Sequence, residues 1–380
     1  MLFYWILLAI ITFNTIVGCK AKDVLSKRIT LFVSFLLMFV FAAIRKDIGV
    51  DYVNYQNWYR TFSIGSHLTR EVEFGYLFLN NFCIATGLGF EGLIVIASFL
   101  CYYPVYYLAK QLNKPLVLYI YFLLLYPISF ALIRQCIAIS IALICTYLYL
   151  KQYFPDSPNN KHLLLKKKDR LKLAFPNKKL IILVVLSCSF HYSLVLYFLL
   201  LFSTRFFTLK TRETIPLLLI VALIGFNSNA ILEFVTNHFA DGMYARYFEK
   251  GSVFFTGRKL GSGLGVVLRY IIYVVSFAFI SILLNKRTKQ EKGFFNLMFL
   301  FLVGLDALSF HSEIFIRFKF LSYVVFFIPL FFLEKFSKRT RTAYYAQVCC
   351  SVILLLYLLL FKYYNDLNNW KDIPYQSLFF

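Results

Sequence analysis

Four arginines, two carboxylates and a histidine stand in this 380-residue sequence at positions where they could handle a phosphorylated substrate. Arg45 follows an apolar run, Arg134 lies between two such runs and precedes Gln135, Arg246 and Tyr247 occupy the aromatic stretch MYARYFEKG, and Arg317 opens a further run. A guanidinium stays charged and forks onto phosphate oxygens, so arginines converging on one cavity suit a diphosphate. The candidate bases are Asp51, Glu73 and His191, because removing a proton from a hydroxyl needs a carboxylate or imidazole within hydrogen-bond reach. Tyr52, Tyr55, Trp58 and Tyr59 offer flat faces for stacking on sugars, and an aromatic belt at a membrane interface accounts for them equally well. Each residue also has a plain alternative: an arginine can snorkel to a lipid headgroup, and a lone histidine in an apolar run commonly packs. The chemistry therefore depends on whether the fold brings these side chains together.

The elements that would do so are membrane helices. Hydrophobic residues make up 60% of the chain and aromatic residues 20%, with a mean hydropathy of +0.70, well above an ordinary soluble domain. The net charge of +22 would fit nucleic acid in a soluble protein, but here the basic residues cluster in short segments between apolar runs, as cytoplasmic loops do, so no nucleic-acid partner is expected. The eight cysteines show no CxxC pair and no Cys/His metal spacing, so neither a metal site nor a disulfide framework is signalled. The GSGLG segment at 261–265 lacks a dinucleotide loop's context, and no D-x-D pair marks a metal–nucleotide clamp. No cofactor is expected.

Apolar runs long enough to span a bilayer, about 17–25 residues, occur near 2–18, 29–44, 92–109, 115–131, 133–150, 214–232, 264–285, 293–310, 317–333 and 343–362. The basic flank follows the first run, which favours an uncleaved helix with its N-terminus outside. The run 180–202 would place basic segments on opposite faces if it crossed once; a bend at CSFHYS returns the chain to the same side. The segment 71–87 is short and polar at its ends, and reads as a re-entrant or interfacial piece, which requires a surrounding cavity.

The expected fold class is therefore all-α: a polytopic integral membrane protein of about 12 transmembrane helices, including short or re-entrant segments, with an outward-facing cavity. One transmembrane domain covers 1–380, with outer loops near 45–91 and 233–263 and a basic cytoplasmic loop at 151–179. In this topology the clusters around Arg45, Glu73, Arg134, His191, Arg246 and Arg317 share the outer face. Ionisable groups near membrane depth mark a functional site.

Taken in order, the motifs R-x3-GxDYxxY (Arg45, Gly49, Asp51, Tyr52, Tyr55), ExGY (Glu73, Gly75, Tyr76), IRQxxA (Arg134, Gln135, Ala138), FHYS (Phe190, His191, Ser193), ARYF (Arg246, Tyr247) and PYQS (Pro374, Tyr375) run along nearly the whole chain. This ordered set resembles the EpsG-like family, the Wzy-type polymerases of bacterial surface polysaccharides. The lysine-rich insert at 151–179 departs from that pattern. The resemblance implies an enzyme of the bacterial cytoplasmic membrane whose site faces the periplasm or exterior. It would join undecaprenyl-diphosphate-linked oligosaccharide repeat units within the lipid bilayer, with a chain-length regulator and a flippase as protein partners. Arg45, Arg134, Gln135, Arg246, Tyr247, Arg317, Tyr52 and Tyr55 would then bind substrate, and His191, Asp51 or Glu73 would supply the base. The rival readings are a flippase for the same glycolipids and an O-antigen ligase-type glycosyltransferase.

Overall fold

The computed structural model describes residues 2–65, 72–153, 177–204, 206–207, 209–226, 289–309 and 313–333, with isolated helical positions between 270 and 281. The expected runs at 264–285 (apart from those positions) and 343–362, the outer loop 233–263 and the C-terminal tail lie outside the described residues, as does most of the lysine-rich loop. The described residues are helical, with no strand among them. The contacts group into two compact units, one built mainly from residues 1–194 and the other mainly from 195–329.

In the first unit the helices are α1 (Leu2–Lys20), α2 (Val24–Ala43), α3 (Tyr52–Ser63), α4 (Phe74–Ala85), α5 (Gly89–Leu112), α6 (Pro115–Ala131), α7 (Ile133–Tyr153) and α8 (Lys178–Phe190). Four of these, α1, α2, α5 and α7, are long and apolar enough to cross a membrane. The centre is α6: every residue from Val117 to Ala131 is buried, as befits a helix that is hydrophobic all round. Hydroxyl groups pair across its contacts with α5 and α7. The Tyr121 hydroxyl pairs with Ser140 Oγ of α7 at 2.8 Å, and Ser129 Oγ pairs with the Tyr102 hydroxyl of α5 at 2.5 Å. These hydroxyl pairs satisfy polar groups that would be costly unpaired in an apolar interior and fix α5, α6 and α7 against one another.

Local sequence sets the helix ends. Asp23 caps α2, accepting from the Ser26 amide at 2.6 Å. Asn113 ends α5 in the left-handed conformation at φ 53°, Lys114 is extended before proline, and Pro115 opens α6, where its missing N–H costs nothing. Only Leu132 separates α6 from α7, so Arg134 stands in the first turn of α7. The apolar run 180–202 is broken as the sequence indicated: α8 ends at Phe190, His191 is extended, and α9 (Leu194–Ser203) begins after a turn.

The second unit contains α9, α10 (Thr211–Phe226), α11 (Lys289–Leu308) and α12 (Glu313–Ser322). Asn296 of α11 donates to the Leu209 carbonyl at 2.7 Å, at the start of α10. Lys319 of α12 pairs at 3.3 Å with Asp306 of α11, whose side chain is buried. The run read as one span at 317–333 is helical throughout, passing from α12 through a 3-10 segment, Tyr323–Phe327, into α13 (Ile328–Leu333). Pro329 cannot donate to the carbonyl one turn back, and the chain ahead of it tightens.

A loop from Ile44 to Asp51 lies on the C-terminal end of α6. Gly49 has φ +96°, and a Cβ there would sit 2.5 Å from the Phe130 carbonyl oxygen. Both the conformation and the contact exclude a side chain. Gly49→Ala is expected to lower stability by about 1–3 kcal/mol, read as a lower Tm in detergent; an unchanged Tm would contradict this packing.

Candidate functional site

Three of the sequence-predicted residues meet at one end of the first unit, each from a helix terminus. Glu73 immediately precedes α4, Arg134 is in the first turn of α7, and His191 follows the last residue of α8. The packing of α8 on both α4 and α7 brings them together. Ser187 of α8 donates to the Ala138 carbonyl of α7 at 2.8 Å, locking the two helices one turn from the site. Gly75 permits the approach of α4, since a Cβ there would lie 2.6 Å from Ser189 Oγ and 2.9 Å from its carbonyl oxygen. The glycine in ExGY is thus the reason that Glu73 reaches His191.

Glu73 divides its carboxylate. Oε1 meets His191 Nδ1 at 2.8 Å, and Oε2 accepts from Arg134 Nη1 in an ion pair. The side-chain exposures are 7% for Glu73, 15% for Arg134 and 21% for His191, so the imidazole keeps the most open edge. Burial alone would raise the Glu73 carboxyl; the His191 hydrogen bond and the Arg134 charge outweigh it and hold the group below its ordinary value of 4.5. At neutral pH the carboxylate is ionised. Its place at a helix N-terminus suits an anion and that of His191 at a helix C-terminus suits a cation, whereas Arg134 faces an unfavourable dipole that Glu73 offsets.

Aromatic rings enclose the guanidinium. Arg134 Cζ lies 4.7 Å from the Trp58 ring centroid, 5.7 Å from that of Tyr76 and 6.0 Å from that of Tyr55, all within range of cation–π attraction. The rings also meet one another, Tyr55 with Trp58 and Tyr76 at 5.6 Å each. The sequence offered Trp58 for stacking on a sugar and Tyr76 only as part of the ExGY motif; neither was read as a neighbour of Arg134. Their spacing was informative: Trp58 is one turn after Tyr55, and Tyr76 is three residues after Glu73.

The other expected residues have separate places. Arg45 is 2% exposed; it donates to the Ala42 carbonyl at 2.6 Å and Ser98 Oγ at 3.2 Å, and lies 4.9 Å from the Phe130 ring centroid. It therefore caps the C-terminus of α2 and ties it to α5 and α6. Asp51 precedes α3 and accepts from Asn54 Nδ2 at 3.3 Å. Tyr52 packs edge-on against Phe90 at 5.4 Å, and Gln135 is buried in α7. Arg317 is half-buried on α12 in the second unit. Arg246 and Tyr247 lie outside the described residues.

Fold and site together define a helical membrane protein with a buried carboxylate–guanidinium–imidazole cluster at converging helix ends. A sequence model of the EpsG family matches residues 28–157 and 172–377, and the chain belongs to that family. The interruption in the match falls within the lysine-rich segment that departs from the family pattern. No curated protein matches the chain, and no solved structure does.

Because the folded value of Glu73 is depressed, its contribution to stability is full above about 4.5 and is lost as pH falls through the lower folded value. Acidification below about pH 4.5 should lower Tm in detergent, and Glu73→Gln, which has no proton to gain, should flatten that part of the curve. Equal acid-side slopes in the two proteins would refute this linkage.

Proposed function

We propose that the protein is a membrane glycosyltransferase that polymerises lipid-linked oligosaccharide repeat units into a bacterial surface polysaccharide. Family membership supports a polysaccharide-polymerase role. The observation that carries the chemical reading is the Glu73 carboxylate holding Arg134 with one oxygen and His191 with the other. A phosphate ligand and a base are thereby held side by side. Undecaprenyl diphosphate is the leaving group on this reading, and the site opens to the outer face of the cytoplasmic membrane, where no nucleotide-sugar donor is at hand.

The reaction transfers the growing glycan to a hydroxyl of the next lipid-linked repeat unit. The bond between the anomeric carbon and the phosphate oxygen breaks, its electron pair leaves on the diphosphate, and the acceptor oxygen bonds to that carbon. The hydroxyl proton passes to a base, His191 or Asp51. Arg134, desolvated by Trp58, Tyr55 and Tyr76, stabilises the charge that develops on the diphosphate; such preorganised cations act strongly where water is excluded. Arg45 adds positive charge from the protein interior. Arg246, Tyr247 and Arg317 are further substrate contacts on this reading, on the strength of their sequence motifs, as are Gln135 and Tyr52.

Purified protein given only undecaprenyl-diphosphate-linked repeat units in detergent should produce a ladder of longer glycans. A flippase produces none there, so the absence of a ladder would sink the polymerase reading. Arg134→Lys keeps a cation beside Glu73 but loses the planar fork; extension should fall about 10²–10³-fold, on the order expected for one lost transition-state donor. Wild-type chain lengths and rates in that variant would remove Arg134 from phosphate binding.

A further inference from the structure

We infer that His191 is the base and that Glu73 is its positioning residue, fixing the imidazole with the proton on Nδ1 so that Nε2 is the basic nitrogen. The inference rests on the polymerase reading for the identity of the acceptor and on the geometry for the tautomer.

An ionised carboxylate accepts hydrogen bonds and cannot donate one. Glu73 Oε1 stands 2.8 Å from His191 Nδ1, so in the neutral imidazole the proton belongs on Nδ1. An isolated imidazole favours the other tautomer, and the carboxylate reverses that preference. Arg134 is what makes this dependable. Its ion pair with Oε2 keeps Glu73 charged although the residue is only 5% exposed, and it fixes the rotation of the carboxyl group, so that Oε1 faces the ring. The histidine backbone is also held: it is extended at φ −158° and ψ 112°, and its N–H bonds to the Ser187 carbonyl. The acceptor hydroxyl gives its proton to Nε2, and Glu73 stabilises the imidazolium that results.

Replacing the acid by its amide tests this directly. The Glu73→Gln side chain keeps the shape of glutamate but can present an N–H to Nδ1, which places the imidazole proton on Nε2 and removes the base. In the Ser-His-Asp triad the corresponding change leaves the geometry intact and lowers kcat about 10⁴-fold through the wrong tautomer.

The experiment uses the full-length protein labelled with ¹⁵N-histidine in detergent micelles at a pH where the ring is neutral. The chain has five histidines, and the His191 signals are assigned by their loss in His191→Gln. Wild-type protein should show Nδ1–H, and Glu73→Gln should show Nε2–H, with kcat for glycan extension lowered at least about 10³-fold and the donor KM changed by less than about threefold. Glu73→Asp, which retains an acceptor-only group, should recover the Nδ1–H signal and part of kcat. Nε2–H in the wild type overturns the assignment without reference to any variant, so a Glu73→Gln protein that fails to fold does not protect it. A Glu73→Gln protein with undiminished kcat also overturns it. If wild-type protein shows Nδ1–H but makes no glycan ladder, the polymerase reading fails while the tautomer stands, and His191 loses its role as base for that acceptor.

Discussion

The structure of the site depends on the division of one carboxylate. Glu73 is buried, and an isolated buried acid would protonate rather than stay charged. It stays ionised because Arg134 takes one oxygen and His191 meets the other. Neither partner is close in sequence: Arg134 is 61 residues away and His191 is 118. The pair can form only if three helix termini arrive at the same point, so the cluster reports on the packing of the whole first unit. Removing a partner from a buried pair is far more damaging than the pair's net worth, about 3–5 kcal/mol, which makes the three residues interdependent.

That convergence is built from small departures from regular helix. Gly75 lets α4 approach the end of α8, Leu132 alone separates α6 from α7, and His191 leaves the helical conformation at the end of α8. At 12 residues, α4 is about 18 Å long, too short for a hydrocarbon core of about 30 Å; it supplies an N-terminus at the site instead of a crossing. Behind these breaks α6 is a buried post, braced by tyrosine–serine pairs. The charged cluster therefore rests on helices whose own hydrogen bonds are largely settled elsewhere.

Much of this was legible in the sequence, and the limits have identifiable causes. Apolar run length gave α1, α2, α5, α6 and α7 nearly as they are, because a helix in a bilayer needs a sustained apolar stretch. The break at His191 was legible too, since polar residues interrupt the run at CSFHYS. The 3-10 segment within 317–333 was not legible, because hydropathy is blind to the lost donor at Pro329. The ordered motifs named Glu73, Arg134 and His191, but spacing could not say that one acid serves both other groups. Arg45 shows the opposite limit. Its position after a helix looked like that of a ligand, and only the structure gives it the α2 carbonyl, Ser98 and Phe130 as partners. Ser98 lies within an apolar run, where a single hydroxyl carries no periodic signal.

The aromatic residues around Arg134 resolve part of the ambiguity between sugar stacking and membrane anchoring, because they have a third role. Trp58, Tyr55 and Tyr76 turn their rings toward the guanidinium, replacing water around a cation without neutralising it. A second acid in their place would cancel the charge. The rings keep it, at the cost of leaving Arg134 at a helix N-terminus, where the dipole opposes a cation and favours an anion. Glu73 makes that position tolerable with a single shared oxygen, which leaves most of the guanidinium's five N–H groups outside the ion pair. On the proposed reading, a diphosphate arriving there meets both the cation and the positive end of α7. The feature that makes Arg134 awkward in the protein alone is then the one that favours its substrate.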